Sequence, residues 1–313
     1  MSVDLPSAER LIIGSQSDLH VESVVQHLRR PGTVIVDATT MDDTVIELSS
    51  TRTVLRDLAG RGVAIRTGCR GWLRRLAPAG HDDGIEIGSL PAARLSARIA
   101  LLGALVRDCR VRWLSDPSSV FAAENKITQY QCAAGIHIGV PRWCIVTSRE
   151  DVDFIGATAV LKPLGPGNFA SAGQDFVAWA TKVVAADLPE GSLLGSPFLA
   201  QEVINARLHL RIVTVGDRAW CAQLAAADTP LDWRSSKRAH MSFESTSDWG
   251  AVCSDAVAIA AMMRVGYSSQ DWIIDAEGAA HFIDLNPGGQ WLFLPEGVSA
   301  PVAEALAGWL MEG

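Results

Sequence analysis

The sequence predicts a mixed α/β fold, and three observations lead there. The opening third alternates short apolar runs with a helical pattern. An alanine- and leucine-rich helical stretch follows it. The last third is mainly paired apolar runs joined by short turns containing Gly and Asp, the signature of β-hairpins.

In order, Leu11 to Gly14 reads as a strand. Val21 to Leu28 repeats apolar residues at helical spacing after a possible cap at Asp18. Thr33 to Asp37, Val45 to Leu48, Thr53 to Leu55 and Val63 to Arg66 read as further strands. From Ser89 and Pro91 to Val106 a helix is expected, with Pro in its first turn and Ala and Leu in its body. A break at Ser115-Asp116-Pro117-Ser118 precedes a helix from Val120 to Ala134, ended by Gly135. Arg142 to Thr147 and Ala159 to Lys162 read as strands, and Pro163 to Gly173 as a loop rich in small residues. Leu208 to Val215 and Arg218 to Leu224 flank a Gly216-Asp217 turn, and Trp272 to Ile274 and His281 to Leu285 flank the turn Asp275 to Gly278. Helices over Trp249 to Arg264 and Pro301 to Met311 complete the reading.

Composition bounds the function. At 313 residues the chain is long for one compact domain and suits two or three lobes sharing a core. Its 48% hydrophobic and 20% charged residues are a soluble, globular balance. No apolar run approaches the ~20 residues that span a bilayer, and Met1 to Gly14, with Asp4, Glu9 and Arg10, is not patterned as a signal peptide. The expectation is a cytoplasmic chain with no membrane partner. A net charge of −8 argues against nucleic acid as partner, which needs a basic face, but leaves room for a local phosphate pocket. The six cysteines form no CxxC pair, so reduced and mostly buried thiols are expected.

Four local patterns carry chemistry. In Phe282-Ile283-Asp284-Leu285-Asn286-Pro287-Gly288-Gly289, strand alternation puts Asp284 and Asn286 on one face. With Asp271 on the neighbouring strand they make a hard-oxygen magnesium site, or else a polar outer face ending in a turn. Lys126 and Lys162 sit among apolar or small residues. Lys162 ends a strand beside a glycine loop, placed to meet phosphate oxygens, or both lysines snorkel at the surface. The loop Leu164 to Ser171, with Gly165 and Gly167, is able to fold its amides over phosphates, though most such loops are turns. It is neither a Walker loop nor a Rossmann fingerprint. Alternation also puts Arg207, His209 and Arg211 on one face, where an anion would relieve their repulsion or where the strand is a solvated edge. Asp232-Trp233-Arg234 opens a segment with a basic lip. Trp291 is a candidate for a pocket wall, although most of the ten tryptophans are expected in packing.

Taken in order, these segments resemble the ATP-grasp ligases, and within them the RimK-like peptide maturases that make microviridin-type (graspetide) crosslinks. Trp72-Leu73-Arg74-Arg75 resembles that family's arginine pair. Trp113 to Pro117 with Glu124-Asn125-Lys126, Gln129 and Ala133 resembles the start of its central lobe, and Val160 to Leu164 its second lysine strand. Gln201-Glu202-Val203-Ile204 resembles the hinge that holds adenine, and Phe282 to Leu292 the last metal-binding strand. The resemblance covers roughly residues 70 to 311.

What the resemblance implies is an ATP-grasp fold of three lobes: an N-terminal α/β lobe (1–117), a central lobe with a glycine-rich lid (118–200) and a C-terminal lobe with the metal site (201–313). It implies ATP and Mg2+, with Lys126 and Lys162 on the phosphates, Ala200 to Ile204 on adenine, and Asp271, Asp284 and Asn286 on magnesium. Arg211 would stabilise the transferring phosphoryl group. Arg234, His209, Arg74 and Arg75 fall to the substrate side. The implied reaction passes through an acyl phosphate to an amide or ester, on a precursor peptide. A free amino acid or other small carboxylate is the alternative substrate, and a non-catalytic nucleotide-binding protein the alternative role. A homodimer is also implied. The sequence departs from the family twice: His209 stands where an acidic residue is usual, and Asp284 where glutamate is usual. The first puts substrate identity in question more than ATP use. The second keeps an oxygen ligand on a stem one methylene shorter.

Overall fold

The computed structural model describes residues 5–28, 32–78, 80–165, 168–171, 174–227 and 229–312. Gly167, one of the two glycines expected over phosphates, lies outside these residues.

The N-terminal part begins with β1 (Ser7–Ile13), α1 (Leu19–Gln26) and β2 (Thr33–Val36). Asp18 caps α1 by accepting the His20 amide, as its position before the apolar repeat predicts. There follow β3 (Thr44–Leu48), β4 (Thr53–Asp57), β5 (Gly62–Leu73), α2 (Leu90–Leu105) and β6 (Val111–Trp113). Pairing is parallel for β1 with β2 and β5, and for β5 with β6, while β3 and β4 form an antiparallel flank. The result is a six-stranded sheet.

The helix expected from Val120 to Ala134 is two helices, α3 (Pro117–Ala123) and α4 (Lys126–Gly135). Asn125 divides them because its side chain accepts the amides of Ile127 and Thr128, a cap that ends one helix by starting another. Lys126 therefore opens α4.

The central sheet joins β7 (Trp143–Val146), β8 (Thr158–Pro163), β11 (Thr181–Val184) and β12 (Phe198–Gln201) in antiparallel order β11-β8-β12-β7. The short helix α5 (Arg149–Asp153) follows β7. The expected loop after Pro163 contains a hairpin, β9 (Asn168–Ser171) with β10 (Gln174–Val177).

The C-terminal sheet has the order β15-β14-β13-β16-β17 and is antiparallel throughout. Its strands are β13 (Ala206–Val215), β14 (Arg218–Ala225), β15 (Glu244–Thr246), β16 (Tyr267–Asp275) and β17 (Ala280–Asn286), with α6 (Lys237–His240) and α7 (Gly250–Met262) between them. Gly216 turns β13 into β14 with a φ of 60°, a left-handed conformation that glycine adopts without strain. The final helix α8 (Glu296–Met311) begins five residues before the expected start, with Pro301 inside it. No helix among the described residues is long and apolar enough to cross a membrane.

One face of the C-terminal sheet, with Leu210, Ile212, Trp272, Phe282 and Leu285, packs into a core shared with the N-terminal sheet and with Val120, Tyr130 and Ala133. A second core joins Trp72 and Val24 to Val213, Tyr267, Trp291 and α8. The central sheet has a small core of its own around Val146, Leu161 and Ala200. A cleft lies where that sheet meets the polar face of the C-terminal sheet.

Candidate active site

Lys126, Lys162, His209, Arg234, Asp271 and Asp284 all line this one cleft, about 270 Å3 in volume, with Gly165 and Gln201 at its border. That is near the small end of ligand pockets, roughly 300–1,000 Å3.

Register explains how the acidic pair forms. Asp271 on β16 lies directly opposite Asp284 on β17, with an irregularity between Asp271 and Trp272 that leaves Ile283 as the extra residue. This β-bulge lets Phe282 and Leu285, three residues apart, both enter the core, and it turns Asp284 toward the cleft. One step along β13, Arg211 pairs opposite Asp271. Its Nη1 donates to Asp271 Oδ1 at 2.8 Å. Among the described residues Arg211 Nε is buried with no hydrogen-bond partner, so the guanidinium retains a donor for an anion.

One face of α4 meets β17 residue by residue. Lys126 Nζ donates to Asp284 Oδ1 at 2.6 Å. The Gln129 amide exchanges two hydrogen bonds with the Leu285 backbone, at 2.7 and 2.9 Å. The Tyr130 hydroxyl has two acceptors within reach of its one proton, Gln201 Oε1 on β12 at 2.9 Å and the Ile283 carbonyl at 3.1 Å. Residues i, i+3 and i+4 of a helix share a face, so this set is a consequence of the helix period.

Lys162, at 9% exposure, is pushed down to about 8 by burial and by the like charge of Lys126, with partial relief from Asp284 and Asp271. Burial would raise the Asp284 carboxyl, but Lys126, by charge and hydrogen bond, then Lys162 and Arg234 together hold it below the ordinary carboxylate value. His209 is buried, which lowers its imidazole and favours the neutral form, against the pull of Asp271 and Asp232. Asp232 grips Arg234 through two hydrogen bonds of 2.8 and 2.7 Å and so holds the guanidinium charged at the rim. The Asp232 carboxylate also accepts the Ala180 amide at 3.4 Å, tying the central sheet's approach strand to this lip.

Other expected positions fall elsewhere. Glu202, Val203 and Ile204 follow β12 half-buried, outside the residues that line the cleft, and the Glu202 carboxylate accepts the Arg142 amide at 2.7 Å. Asn286 is exposed at the end of β17, its Oδ1 accepting the Gly288 amide at 2.9 Å. Arg74 and Arg75 border a different hollow. The Arg207 guanidinium departs from the expected shared face. It sits over the Trp249 ring at 5.9 Å, and Trp249 donates to Gln223, which pairs opposite Leu210 on the core-facing side. A register shift at this end of β13 turns it there. Trp291 is fully buried between Trp72, His20 and Tyr267, a core residue and not a pocket wall.

The turn after Asn286 is braced from the N-terminal part. His20 Nε2 accepts the Trp291 amide at 3.2 Å, and its Nδ1 lies 2.9 Å from an Asp18 carboxylate oxygen. Asp18 also receives Arg74 Nε at 3.0 Å, and Arg74 donates on to the Gly288 carbonyl. Gly289 has a plain reason to be glycine: a Cβ there would lie 2.5 Å from Ser269 Cβ. Nothing in the sequence flags His20, some 270 residues from its partner. Nor does it single out Trp179, Trp233 and Trp272 among ten tryptophans as those that line the cleft.

Among the described residues no group of three or more His, Cys, Asp or Glu converges as a metal cage. The opposed Asp271 and Asp284 fit a magnesium ion that takes one or two protein carboxylates and draws its other ligands from phosphates and water.

The architecture is the ATP-grasp fold. No protein-family model and no curated protein sequence matches the chain. Solved structures do. A RiPP-associated ATP-grasp ligase from Chryseobacterium gregarium, in complex with ADP and a leader and core peptide, superposes with a TM-score of 0.84 at 19% identity, covering 96% of each chain. The macrocyclase MdnC from Microcystis aeruginosa MRC, bound with precursor peptide MdnA, gives 0.80 at 18% identity over 97% of this chain and 99% of its own. The ATP-grasp ligase PsnB, complexed with minimal precursor, Mg and ADP, gives 0.75 at 19% identity over 98% and 100%. At such identities the likeness is one of fold.

Proposed function

We propose that the chain is an ATP-dependent ligase that activates a carboxylate as an acyl phosphate and passes the acyl group to a hydroxyl or amine. A precursor peptide is the substrate that best suits it. One observation carries this reading: Lys126, Lys162 and Arg234 converge with Asp271 and Asp284 on a single cleft between two antiparallel sheets. The peptide, ADP and Mg bound by proteins of the same fold support it.

A carboxylate approaching ATP brings one anion onto another, and the attack gains speed only if cations offset the charge that develops. Lys162 and Lys126 are assigned to the phosphate oxygens. Arg211, with its buried unpartnered Nε, is assigned to the phosphoryl group in transfer. Arg234, held charged at the rim, is assigned to the substrate carboxylate, with His209 beside it. Asp271 and Asp284 are assigned to magnesium, which when bound would neutralise phosphate charge; Asn286 would join them only by giving up the bond from the Gly288 amide to its Oδ1. Adenine is placed at the apolar end by Val160, Gln201 and Ile283, where the backbone from Glu202 to Ile204 follows. The carboxylate oxygen attacks the γ-phosphorus and ADP leaves. The nucleophile then attacks the carbonyl carbon, releasing phosphate and a proton. Water would destroy the acyl phosphate, and the hairpin β9–β10, whose second strand ends at Val177 on the cleft lining, is assigned to cover the cleft. In this reading residues 1–117, 118–200 and 201–313 act as the N-terminal, central and C-terminal lobes.

The test is ADP release in the presence of magnesium and a Glu-, Thr- and Lys-rich peptide, with mass spectrometry for loss of water. Asp284→Ala and Lys162→Ala are each expected to lower turnover by at least ~100-fold with an unchanged circular-dichroism spectrum. Wild-type turnover in either folded variant contradicts the proposal.

A further inference from the structure

The cysteines are scattered along the sequence, yet the fold brings Cys221 and Cys253 together. Cys221 is buried on β14, and Cys253 is half-buried near the start of α7. Both are free thiols. The Cys221 thiol donates a hydrogen bond to the Cys253 sulfur, which keeps the proton on Cys221 and lowers the Cys253 thiol.

Two periodicities set this contact. Cys221 and Gln223 alternate onto one face of β14, about 7 Å apart along the strand. Trp249 and Cys253 share one face at the start of α7, about 6 Å apart along the helix. The Cys253 amide donates to the Trp249 carbonyl at 2.9 Å. The Trp249 indole N–H donates to Gln223 Oε1 at 3.1 Å and pins one end of the match. The near-equal spacings then lay Cys253 on Cys221. Further along, Ala256 of α7 and Ala219 of β14 pack in the same core. Alanines at 256 and 260 leave room for the helix to approach, and Cα atoms of α7 and β14 come within 8 Å.

We propose that Cys221 and Cys253 are a modification site, a thiol pair that closes reversibly to a disulfide on meeting a small disulfide such as oxidised glutathione. Cys253 is the more accessible sulfur and the better thiolate. It attacks one sulfur of oxidised glutathione, forms a mixed disulfide and releases one glutathione. Cys221, shielded from direct attack, then gives up its proton and attacks the Cys253 sulfur. The bond between the protein sulfurs forms and the second glutathione leaves. Two electrons and two protons pass from the protein to one oxidised glutathione, which becomes two reduced molecules. The bridge closes residues 222–252 into a loop, and that loop carries Asp232, Trp233 and Arg234 of the cleft. It also ties α7 to β14, where Ala222 pairs opposite Arg211. Because the thiols already touch, closure asks for no rearrangement of the cleft, and oxidation makes this part of the chain harder to unfold.

The experiment treats the full chain with oxidised glutathione, blocks remaining thiols with iodoacetamide and digests with trypsin without reductant. Cleavage after Arg218, Arg234, Arg238 and Arg264 puts Cys221 in peptide 219–234 and Cys253 in peptide 239–264. Mass spectrometry is expected to find these two joined, lighter by two hydrogens than their sum, and parted by dithiothreitol. Calorimetry should show the oxidised wild type melting at least ~3 °C above the reduced protein, with no such gain in Cys253→Ser or in Cys221→Ala. A glutathione adduct on exposed Cys109 beside alkylated Cys221 and Cys253 would overturn the site. So would a mixed disulfide that persists on Cys253, or an equal gain in both variants. Neither readout uses ATP or peptide, so the result is independent of the ligase reading.

Discussion

The ammonium group of Lys162 sits at the end of a buried strand with Lys126 close by, and burial and that like charge take it from 10.5 down to about 8. Such a drop corresponds to ~3 kcal/mol set against folding when the amine is charged. Below pH 8 both folded and unfolded chains hold the proton and the whole penalty is present. Between about pH 8 and 10.5 the unfolded chain holds more of it, so stability rises with pH across that window. Removing the charge therefore stabilises the empty protein while removing a phosphate contact. Lys162→Met should melt a few degrees higher than wild type at pH 7 in scanning calorimetry, and the gain should shrink by pH 10. A lower melting temperature at pH 7 would show that Lys162 is not an uncompensated charge. The sequence made Lys162 readable because a lysine ending an apolar strand is unusual. It could not separate Arg74 from Arg75, since their difference lies in Asp18 and Gly288, which are distant in the chain.

At the scale of elements, α4 fixes the geometry of β17. Gln129 satisfies both backbone groups of Leu285 and donates to the Ala123 carbonyl at 2.6 Å, so one buried amide closes the sheet edge and joins α3 to α4. Gln129→Leu would leave the Leu285 N–H and C=O buried without partners, at a cost of ~2–4 kcal/mol. Urea denaturation should show a midpoint lowered accordingly with an unchanged slope, whereas a midpoint equal to wild type would mean the edge finds other partners. Asn125 dividing two helices was open to reading, since Asn followed by Lys-Ile-Thr is a capping pattern, but the alanine-rich run on either side favours one helix. Pro301 misled for the opposite reason. Proline suits a first turn, yet α8 carries it inside, forgoing one backbone hydrogen bond for the burial of Val298 and Val302 in the second core. The bulge at Ile283 shows in the sequence only as two adjacent apolar residues, Phe282-Ile283, ahead of the alternating Asp284-Leu285-Asn286.

Over the whole molecule, most strands were legible from apolar runs and most turns from Gly and Asp, because those signals are local. The order of strands was not. Parallel pairing of β1 with β2 and β5 is decided by a core assembled across the chain, and β11, β12 and β15 gain their identity only from neighbours. Charge shows the same division. A net of −8 describes the surface, while Lys126, Lys162, Arg211 and Arg234 gather around Asp271 and Asp284 where two sheets meet. Such a gathering of cations with an acidic pair is suited to a magnesium-bound triphosphate. Isothermal calorimetry of ATP into the purified chain, with and without Mg2+, tests it most directly: saturable heat that requires the metal and vanishes in Asp284→Ala is the predicted result, and a folded wild-type protein that gives no heat with ATP and Mg2+ together would contradict it.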